Sequence, residues 1–527
     1  MVEDKNYELG SRIECDGSLG TLRYVGPVGD TKGEWLGIDW DDPSRGKHNG
    51  TYEGVKYFTT WHPTSGSFIR HGKANFGISC PDAIKSRYGL INDDLAGIDR
   101  ENLTSLQKEI NAPFLEMVGF SKVNKKQSKF DQLEIIWLRD QSVSNAGNPG
   151  ELETLCPRLK ELDISRNLTN SWKVISDICI QLRSLTRLNV SENKLPCDIE
   201  VEQFRKSFSN VTHLTMARMN YNWADVQRCI AMFPSIRELS ISFNIVNTIE
   251  RPPDCSNIMK LRALTLEGNL IENWNEILKL GSLPCLEYLN VNENRIKVVS
   301  FPTDKSMTKT SLFANLRQLH ISKNDISEWR SISELDKLLS LQDLKFRDNP
   351  ILKCGTPETT RQLIIARISK LKFLNGTEVW QDERTGAEYD YLKLFGKQWL
   401  DTESIPEKRV EFITEHPQYP SLIKKYGLPD VHVSKLNAGM GSNVISVEFI
   451  CPDDPNQPQR VRRKLLKDME VQKVVGIVQR LFKTSGKIPT LSFVQQTLSS
   501  NEIKLDKPLQ NLSYFSIQDG DQILVRW

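Results

Sequence analysis

A nine-residue frame, LxxLxLxxN, recurs along the middle of the chain, beginning at Leu133, Leu159, Leu185, Val211, Ile236, Leu261, Leu286, Leu316 and Leu341. The intervals are 25 or 26 residues, apart from one of 30. Such a period argues against a single closed core, because each repeat is a small unit that buries its apolar face only against its neighbours. LKELDISRN, LTRLNVSEN, LRALTLEGN, LEYLNVNEN and LRQLHISKN are clear copies. The ninth position is Asn at Asn167, Asn193, Asn244, Asn269, Asn294, Asn324 and Asn349, with Gln141 and Met219 in the other two repeats. An amide there satisfies backbone groups where the chain turns off a strand, so these residues are read as structural.

The pattern is that of a leucine-rich repeat, an α/β solenoid with one short strand per repeat in a parallel sheet, over residues 133–351. Strand residues change face with period two, so the side chains between the inward leucines must line the concave side. That face carries Trp137, Arg139, Glu161, Asp163, Arg187, Asn189, His213, Glu238, Glu267, Tyr288, Asn290, Gln318, His320, Asp343, Lys345 and Arg347. Mixed charge, amides and scattered aromatics suit a large protein partner better than a small substrate. Residues 352–400 have helical spacing and are expected to cap the C-terminal end. Residues 91–132 are expected to serve as linker and N-terminal cap, and the polar run from Ser300 to Thr310 as an edge loop.

The 527 residues and 60.3 kDa leave room for further modules on both sides of the repeats. Lys and Arg number 69 against 67 Asp and Glu, a formal charge of +2, so any electrostatic preference is local. With 39% hydrophobic residues and no apolar run of about eighteen, a soluble globular class is expected and nothing spans a bilayer. The acidic start lacks an apolar export segment, and the ten cysteines form no CxxC, so reduced thiols in the cytosol are the default expectation.

Residues 1–90 form a Gly- and aromatic-rich module with short strand-like runs, expected to be a small β fold. At its centre lies Gly46-Lys47-His48-Asn49-Gly50, whose glycines permit a tight turn and close approach of a ligand to the backbone. Around it Arg45, Lys47, Lys56, Arg70 and Lys73 face one acid, Glu53, with Trp61 and Phe68 interleaved. A basic, aromatic surface of this kind binds either nucleic acid or an acidic peptide ending in an aromatic side chain. The wider frame, WLGIDWDDPSRGKHNGTYEGVKYF followed by GSFIR, resembles the CAP-Gly domain. That resemblance implies a site for acidic C-terminal tails ending in Tyr or Phe, with Trp35 and Phe58 in its aromatic cavity, Lys47 as tail-binding lysine and Arg70 as flanking cation. The site is thus expected at Trp35, Gly46, Lys47, His48, Asn49, Gly50, Phe58, Phe68 and Arg70. His48-Asn49 stands where the family usually has Asn-Asp.

Residues 401–443 are read as a linker, ending in the flexible run Asn437-Ala-Gly-Met-Gly-Ser-Asn443. Residues 444–527 then alternate as a strand, place Val471, Val474, Val475, Val478, Leu481 and Phe482 on one helical stripe, and close with strand-like runs. Asp468 is expected to cap that helix. The end, SYFSIQDGDQILVRW, resembles a ubiquitin-like β-grasp domain, and without a Gly-Gly tail an interaction module rather than a conjugating one is expected.

Catalytic patterns are weak. Gly66–Ala74 imitates a phosphate loop but has five residues between its glycines and Ala74 where Ser or Thr must meet magnesium. Gly439-Met-Gly441 lacks the preceding strand and third glycine of a dinucleotide site. Neither HExxH nor GxSxG occurs, and the seven histidines have no metal spacing. A non-enzyme without metal or cofactor is expected.

The order CAP-Gly, leucine-rich repeat, ubiquitin-like resembles the tubulin folding cofactors. The resemblance implies a cytoplasmic, cytoskeleton-related chaperone that captures α-tubulin and joins cofactors C and D with β-tubulin in heterodimer assembly. With cofactor B it would dissociate the dimer. The ubiquitin-like module would meet a partner cofactor or the proteasome, and nucleic acid and membrane are not expected partners. The alternative is a microtubule-end-associated adaptor, against which stands the lack of a heptad run to multiply a weak tail contact. A ubiquitin-pathway shuttle is a third reading.

Overall fold

The computed structural model describes residues 8–89, 128–251, 257–302, 309–403, 405–428, 444–452, 460–482, 488–494, 502–508 and 510–527. The chain divides into two units, Met1–Leu270 and Ile271–Trp527.

The first unit opens with a four-stranded antiparallel sheet, Arg12–Cys15, Ser18–Gly26, Trp35–Trp40 and Gly66–Ile69, hydrogen-bonded in that order. Its first hairpin is closed by Asp16 and Gly17 alone, both with positive φ, the mirror-image turn that matches strand twist. Ile13, Cys15, Leu22, Leu36, Ile38, Trp40 and Ile69 form its core. Beyond it, strand Ile78–Ser79 pairs in parallel with Val143–Asn145, and the helix Cys80–Tyr88, capped by Ser79, buries Cys80, Ala83 and Ile84. Lys85 reaches Glu151 at 2.7 Å and the Tyr88 hydroxyl accepts from the Trp137 amide at 2.8 Å. This helix therefore packs on the first repeat, a role expected of residues 91–132. Residues 90–127 lie outside the described residues.

The module is also tied down by charge. Arg12, 4% exposed, donates to Asp41 and Thr21, and Lys194 of the repeats reaches Asp41 at 2.6 Å. Burial alone would raise the Asp41 carboxyl, but the bonds and charges of Arg12 and Lys194 outweigh it and hold it below the usual carboxylate range.

The repeats follow as parallel strands Ile135–Trp137, Glu161–Asp163, Arg187–Asn189, His213–Thr215, Glu238–Ser240 and Ala263–Thr265. Their central residues, Ile136, Leu162, Leu188, Leu214, Leu239 and Leu264, are fully buried and in register. The Asn ladder behaves as the frame requires. Asn193 donates to the carbonyls of Ile164 and Val190 at 2.9 Å each and accepts from the Asn167 amide at 2.9 Å. Where Met219 breaks the ladder its neighbours cover the gap: Asn193 serves Val190 and Asn244 serves Met216.

The residue before each ninth position, from Asp140 and Arg166 to Lys323 and Asp348, has left-handed backbone, and only Gly268 among them is glycine. Left-handed backbone disfavours side chains, so the Asn bonds hold a turn that the local sequence does not prefer.

In the second unit Tyr288–Asn290, Gln318–His320, Asp343–Lys345 and Phe373–Leu374 continue the pattern in parallel, and Thr377–Glu378 turns back antiparallel. The expected edge loop lies largely outside the described residues, since only its ends flank residues 303–308. Helices Pro357–Arg367 and Gln381–Asp401 follow, in the span expected to cap the solenoid.

The linker expected at 401–443 is corrected over 405–428. Pro406–Glu415 and Tyr419–Tyr426 are helices, each with Pro in its first turn, and they pack Phe412, His416 and Tyr419 on Tyr391, Phe395 and Trp399. These rings sit at helical spacing, an apolar stripe that overrides the polar composition around it. The run Asn437–Asn443 lies outside the described residues.

The last module is a five-stranded sheet in the order Val461–Leu466, Val444–Ile450, Gln522–Arg526, Thr490–Val494 and Glu502–Lys504, with Val444–Ile450 parallel to Gln522–Arg526. Helix Val471–Leu481 covers it with Val471, Val474 and Val478, forming a β-grasp. Asp468 does not cap this helix. Its first amides, on Val471 and Gln472, donate instead to the carbonyls of Gln510 and Pro508. Ser516, with left-handed backbone, donates to Asp390 of the long helix. Burial pushes that carboxyl up to about 6 against the opposing pull of the Ser516 bond and of Lys393 and Lys467.

Candidate functional site

The loop from Gly46 to Gly50 sits against the strand that starts at Gly66. The Lys47 and His48 amides donate to the Gly66 carbonyl at 2.7 and 3.2 Å, and the Gly66 amide returns to His48 at 2.7 Å. Both loop glycines are required by the module's own packing. A Cβ on Gly46 would lie 2.1 Å from the Thr64 carbonyl oxygen, and one on Gly50, whose φ is +87°, would lie 2.1 Å from the Phe58 carbonyl oxygen. The close approach expected of a ligand is made here by the protein backbone.

His48 adopts a fixed role in this loop. Its Nδ1 accepts from the Gly50 amide at 3.0 Å, which leaves the proton on Nε2, and burial lowers its pKa, so the ring is neutral. Asn49 closes the next turn by accepting from the Thr51 amide at 3.2 Å. His48 and Asn49 thus bond to amides two residues ahead, as short polar side chains do in turns.

Beside the loop the aromatic side chains gather around Phe68, half-buried, whose ring meets His48, Phe58, Tyr57, Tyr24 and Tyr52 at centroid distances of 5.0, 5.4, 5.5, 6.3 and 6.4 Å. Phe58, 7% exposed, lies over Gly37, where a Cβ would come within 2.5 Å of its ring. Trp35, expected in one cavity with Phe58, has no ring contact with this cluster among the described residues; its face is covered by Arg70, and its Nε1 donates to Thr31 at 2.7 Å. Tyr24, Tyr52 and Tyr57 are additional members of the surface. Tyr57 precedes Phe58 in the same motif, and Tyr24 lies on the adjacent strand, so motif position and strand alternation were available signals.

Of the basic residues, Arg45 is engaged with Asp16 at 3.3 Å and with the Trp40 ring. Lys47, Lys56 and Lys73 are exposed and form no ion pair among the described residues. Lys47 thus stands exposed in the loop next to His48, and Arg70 is a cation held at Trp35. Trp61, 56% exposed, donates to the Trp40 carbonyl.

Within the first unit the concave face follows the expected alternation. Trp137, 55% exposed, and Arg187 are open, while Asn189 donates to Asp163 at 2.9 Å and His213 meets Glu238 at 2.9 Å. Glu161 and Glu267 are half-buried. Ile135, 49% exposed and aligned with Glu161, adds an apolar member that the expected face did not include. Arg139 lies past its strand, held by Glu192 at 2.7 Å and Ser165 at 3.2 Å.

In the second unit Tyr288 and His320 form a pair, hydroxyl to Nδ1 at 3.0 Å, and burial drops the His320 pKa to about 4. His320 and Asn290 lie on the predicted face yet are buried, which corrects the expectation that they stand open to a partner; the Tyr288 ring, half-buried itself, lies edge-on against His320. Gln318 donates to Asp343 at 3.4 Å, Lys345 is open, and Arg347 is anchored on the Asn375 carbonyl at 2.6 Å. Among the described residues no group of three His, Cys, Asp or Glu is placed to hold a metal, and no helix is long and apolar enough to cross a membrane.

Comparison with known proteins agrees with this architecture. The CAP-Gly domain family matches residues 9–74. The chain is similar to tubulin-specific chaperone E of Xenopus laevis, 40% identical, with 98% of each chain covered. The chain belongs to the tubulin-specific chaperone E family. The Danio rerio member is 38% identical over 98% of this chain and 99% of its own. The solution structure of the C-terminal ubiquitin-like domain of mouse tubulin-specific chaperone E is 32% identical, covering 18% of this chain and 94% of that one at a TM-score of 0.16. Both relatives match this chain over 98% of its length.

Proposed function

We propose that this protein is a tubulin-folding chaperone that holds α-tubulin at two places. Lys47, Arg70 and the ring cluster around Phe68 take its acidic C-terminal tail, and the concave repeat surface takes its folded body. The observation behind the tail site is the exposed Lys47, which forms no ion pair among the described residues and directly precedes His48, whose ring lies 5.0 Å from that of the half-buried Phe68, since a cation near a ring surface suits a carboxylate and an aromatic side chain together. Two linked contacts raise effective concentration, so neither need be tight alone. The family membership supports the tubulin client.

In this reading the protein works in the cytoplasm without a cofactor, in concert with tubulin folding cofactors B, C and D and β-tubulin. The ubiquitin-like module serves as an interaction module toward a cofactor or the proteasome. The test is to mix the purified chain with soluble tubulin dimer, with and without cofactor B, and separately with stabilised microtubules. Size exclusion should show dimer loss with α-tubulin retained in a complex. Co-sedimentation with polymer and an intact dimer would instead support a microtubule-end adaptor.

A further inference from the structure

Cys197 and Cys229 lie in successive repeats of the first unit with their Sγ atoms 3.9 Å apart. Cys197 follows Pro196 in the loop after the third repeat and is partly open to solvent, while Cys229 is fully buried on helix Trp223–Ile230. The separation is within sulfur hydrogen-bond range, so the two sulfurs already face each other, and closing the bond requires them to approach from 3.9 Å to about 2.05 Å. The surroundings fix both partners. Tyr221 donates its hydroxyl to the Leu195 carbonyl at 2.8 Å, and Arg228 donates to the Cys197 carbonyl at 3.2 Å, so the loop is held over the helix.

We propose that Cys197 and Cys229 form an oxidisable dithiol, a modification site whose substrate is a hydroperoxide. The Cys197 thiolate attacks one peroxide oxygen, the O–O bond breaks, and water leaves after protonation, giving a sulfenic acid on Cys197. The Cys229 thiol then displaces the hydroxyl from that sulfur, forming the disulfide and a second water. In sum, two thiols and one hydrogen peroxide give one disulfide and two waters, with the thiols oxidised and the peroxide reduced.

The order of attack follows from position. Cys197 is the partner partly open to solvent, and the contact with Cys229, the Tyr221 hydroxyl and the charge of Arg228 lower its thiol against its own desolvation and the charge of Asp225. Cys229 is pushed the other way by the same bond and by burial, which suits it to the resolving role. Cys80, Cys156 and Cys179 elsewhere in this unit are buried and raised, so they do not compete. The consequence is a covalent tie between the third-repeat loop and the next repeat's helix, reversible by a dithiol reductant.

The test uses the full chain exposed to limiting hydrogen peroxide, then blocked with N-ethylmaleimide, digested and read by mass spectrometry. The expected result is a peptide pair linked through Cys197 and Cys229, forming before modification of the exposed Cys285 and Cys354 and lost on dithiothreitol treatment. With Cys229→Ser, Cys197 should be trapped as a sulfenic acid by dimedone, and with Cys197→Ser, Cys229 should stay reduced. Recovery of both residues as maleimide adducts while Cys285 or Cys354 is oxidised would overturn the proposal. The wild-type measurement decides the matter even if a serine variant folds poorly.

Discussion

The guanidinium of Arg70 lies 3.7 Å from the centroid of the Trp35 ring, and its Nη1 donates to the Glu34 carbonyl at 3.0 Å. The cation is thus held flat against an aromatic face at one end of the strand Trp35–Trp40, in place before any ligand arrives. A preorganised charge loses less entropy on binding than a free lysine does. Replacing Arg70 with Ala should weaken binding of an acidic peptide with an aromatic C-terminal residue by about threefold to tenfold. Arg70→Lys should recover only part of it, because an ammonium does not stack as a guanidinium does. Fluorescence anisotropy on the full chain reads both.

Gly46 should behave differently from its neighbour. Gly46→Ala places a Cβ against the Thr64 carbonyl, a backbone atom that has no room to move. Loss of about 2 kcal/mol or more is expected for the N-terminal module. Hydrogen exchange should rise across Trp35–Trp40 and Gly66–Ile69 in that variant and stay unchanged in Lys47→Ala. Equal exchange in the two variants would show that the glycine serves only ligand access.

In the repeats, Asn193→Ala removes an amide that bridges the carbonyls of Ile164 and Val190 and accepts from Asn167. Leaving these buried groups unpaired should cost about 2–4 kcal/mol. Asp348, by contrast, has a left-handed φ of 54° with an exposed side chain. Asp348→Gly should be neutral or stabilising by up to about 1 kcal/mol, since it relieves the left-handed backbone at some entropic cost. Thermal melting of the full chain, with local hydrogen exchange to assign the transition, separates the two.

Asp390 gives a pH signature. Its carboxyl is raised from 3.8 to about 6, chiefly by burial, with Ser516, Lys393 and Lys467 opposing and Asp521 adding to the rise. A raised folded value means that stability is greatest when the group is protonated and is lost as pH climbs through about 6. Asp390→Asn should therefore raise the melting temperature at pH about 7.5 and make little difference near pH 4. Differential scanning calorimetry at several pH values reads the trend; a benefit that grows toward acid would contradict it.

Much of this architecture is written in local patterns. The LxxLxLxxN frame locates the inward residues from Ile136 to Leu344 because period, apolar position and Asn all report one geometry. Less legible were features set by contacts distant in sequence. Helix Cys80–Tyr88 is fixed on the first repeat by Glu151 and Trp137, which nothing in its own sequence announces. The Pro406–Glu415 and Tyr419–Tyr426 helices are held by rings on a helix that precedes them, so composition read them as linker. Asp468 looked like a cap, yet the amides it would serve are taken by a loop some forty residues on, near Pro508 and Gln510. In the candidate tail site the GKHNG motif pointed to Lys47 and the GSFIR run held Phe68, whereas burial of His320 beside Tyr288 depended on which ring the neighbouring repeat supplies.

The central claim is that α-tubulin is held through its tail and its body at once. Capture of α-tubulin by the full chain should be measured with intact and with tail-truncated α-tubulin, for the native sequence and for Lys47→Ala, by surface-immobilised binding. Truncation and Lys47→Ala should each weaken capture by about tenfold, and combining them should add little more, since both remove the same contact. Undiminished binding of truncated α-tubulin, or additive losses from the two changes, would contradict it.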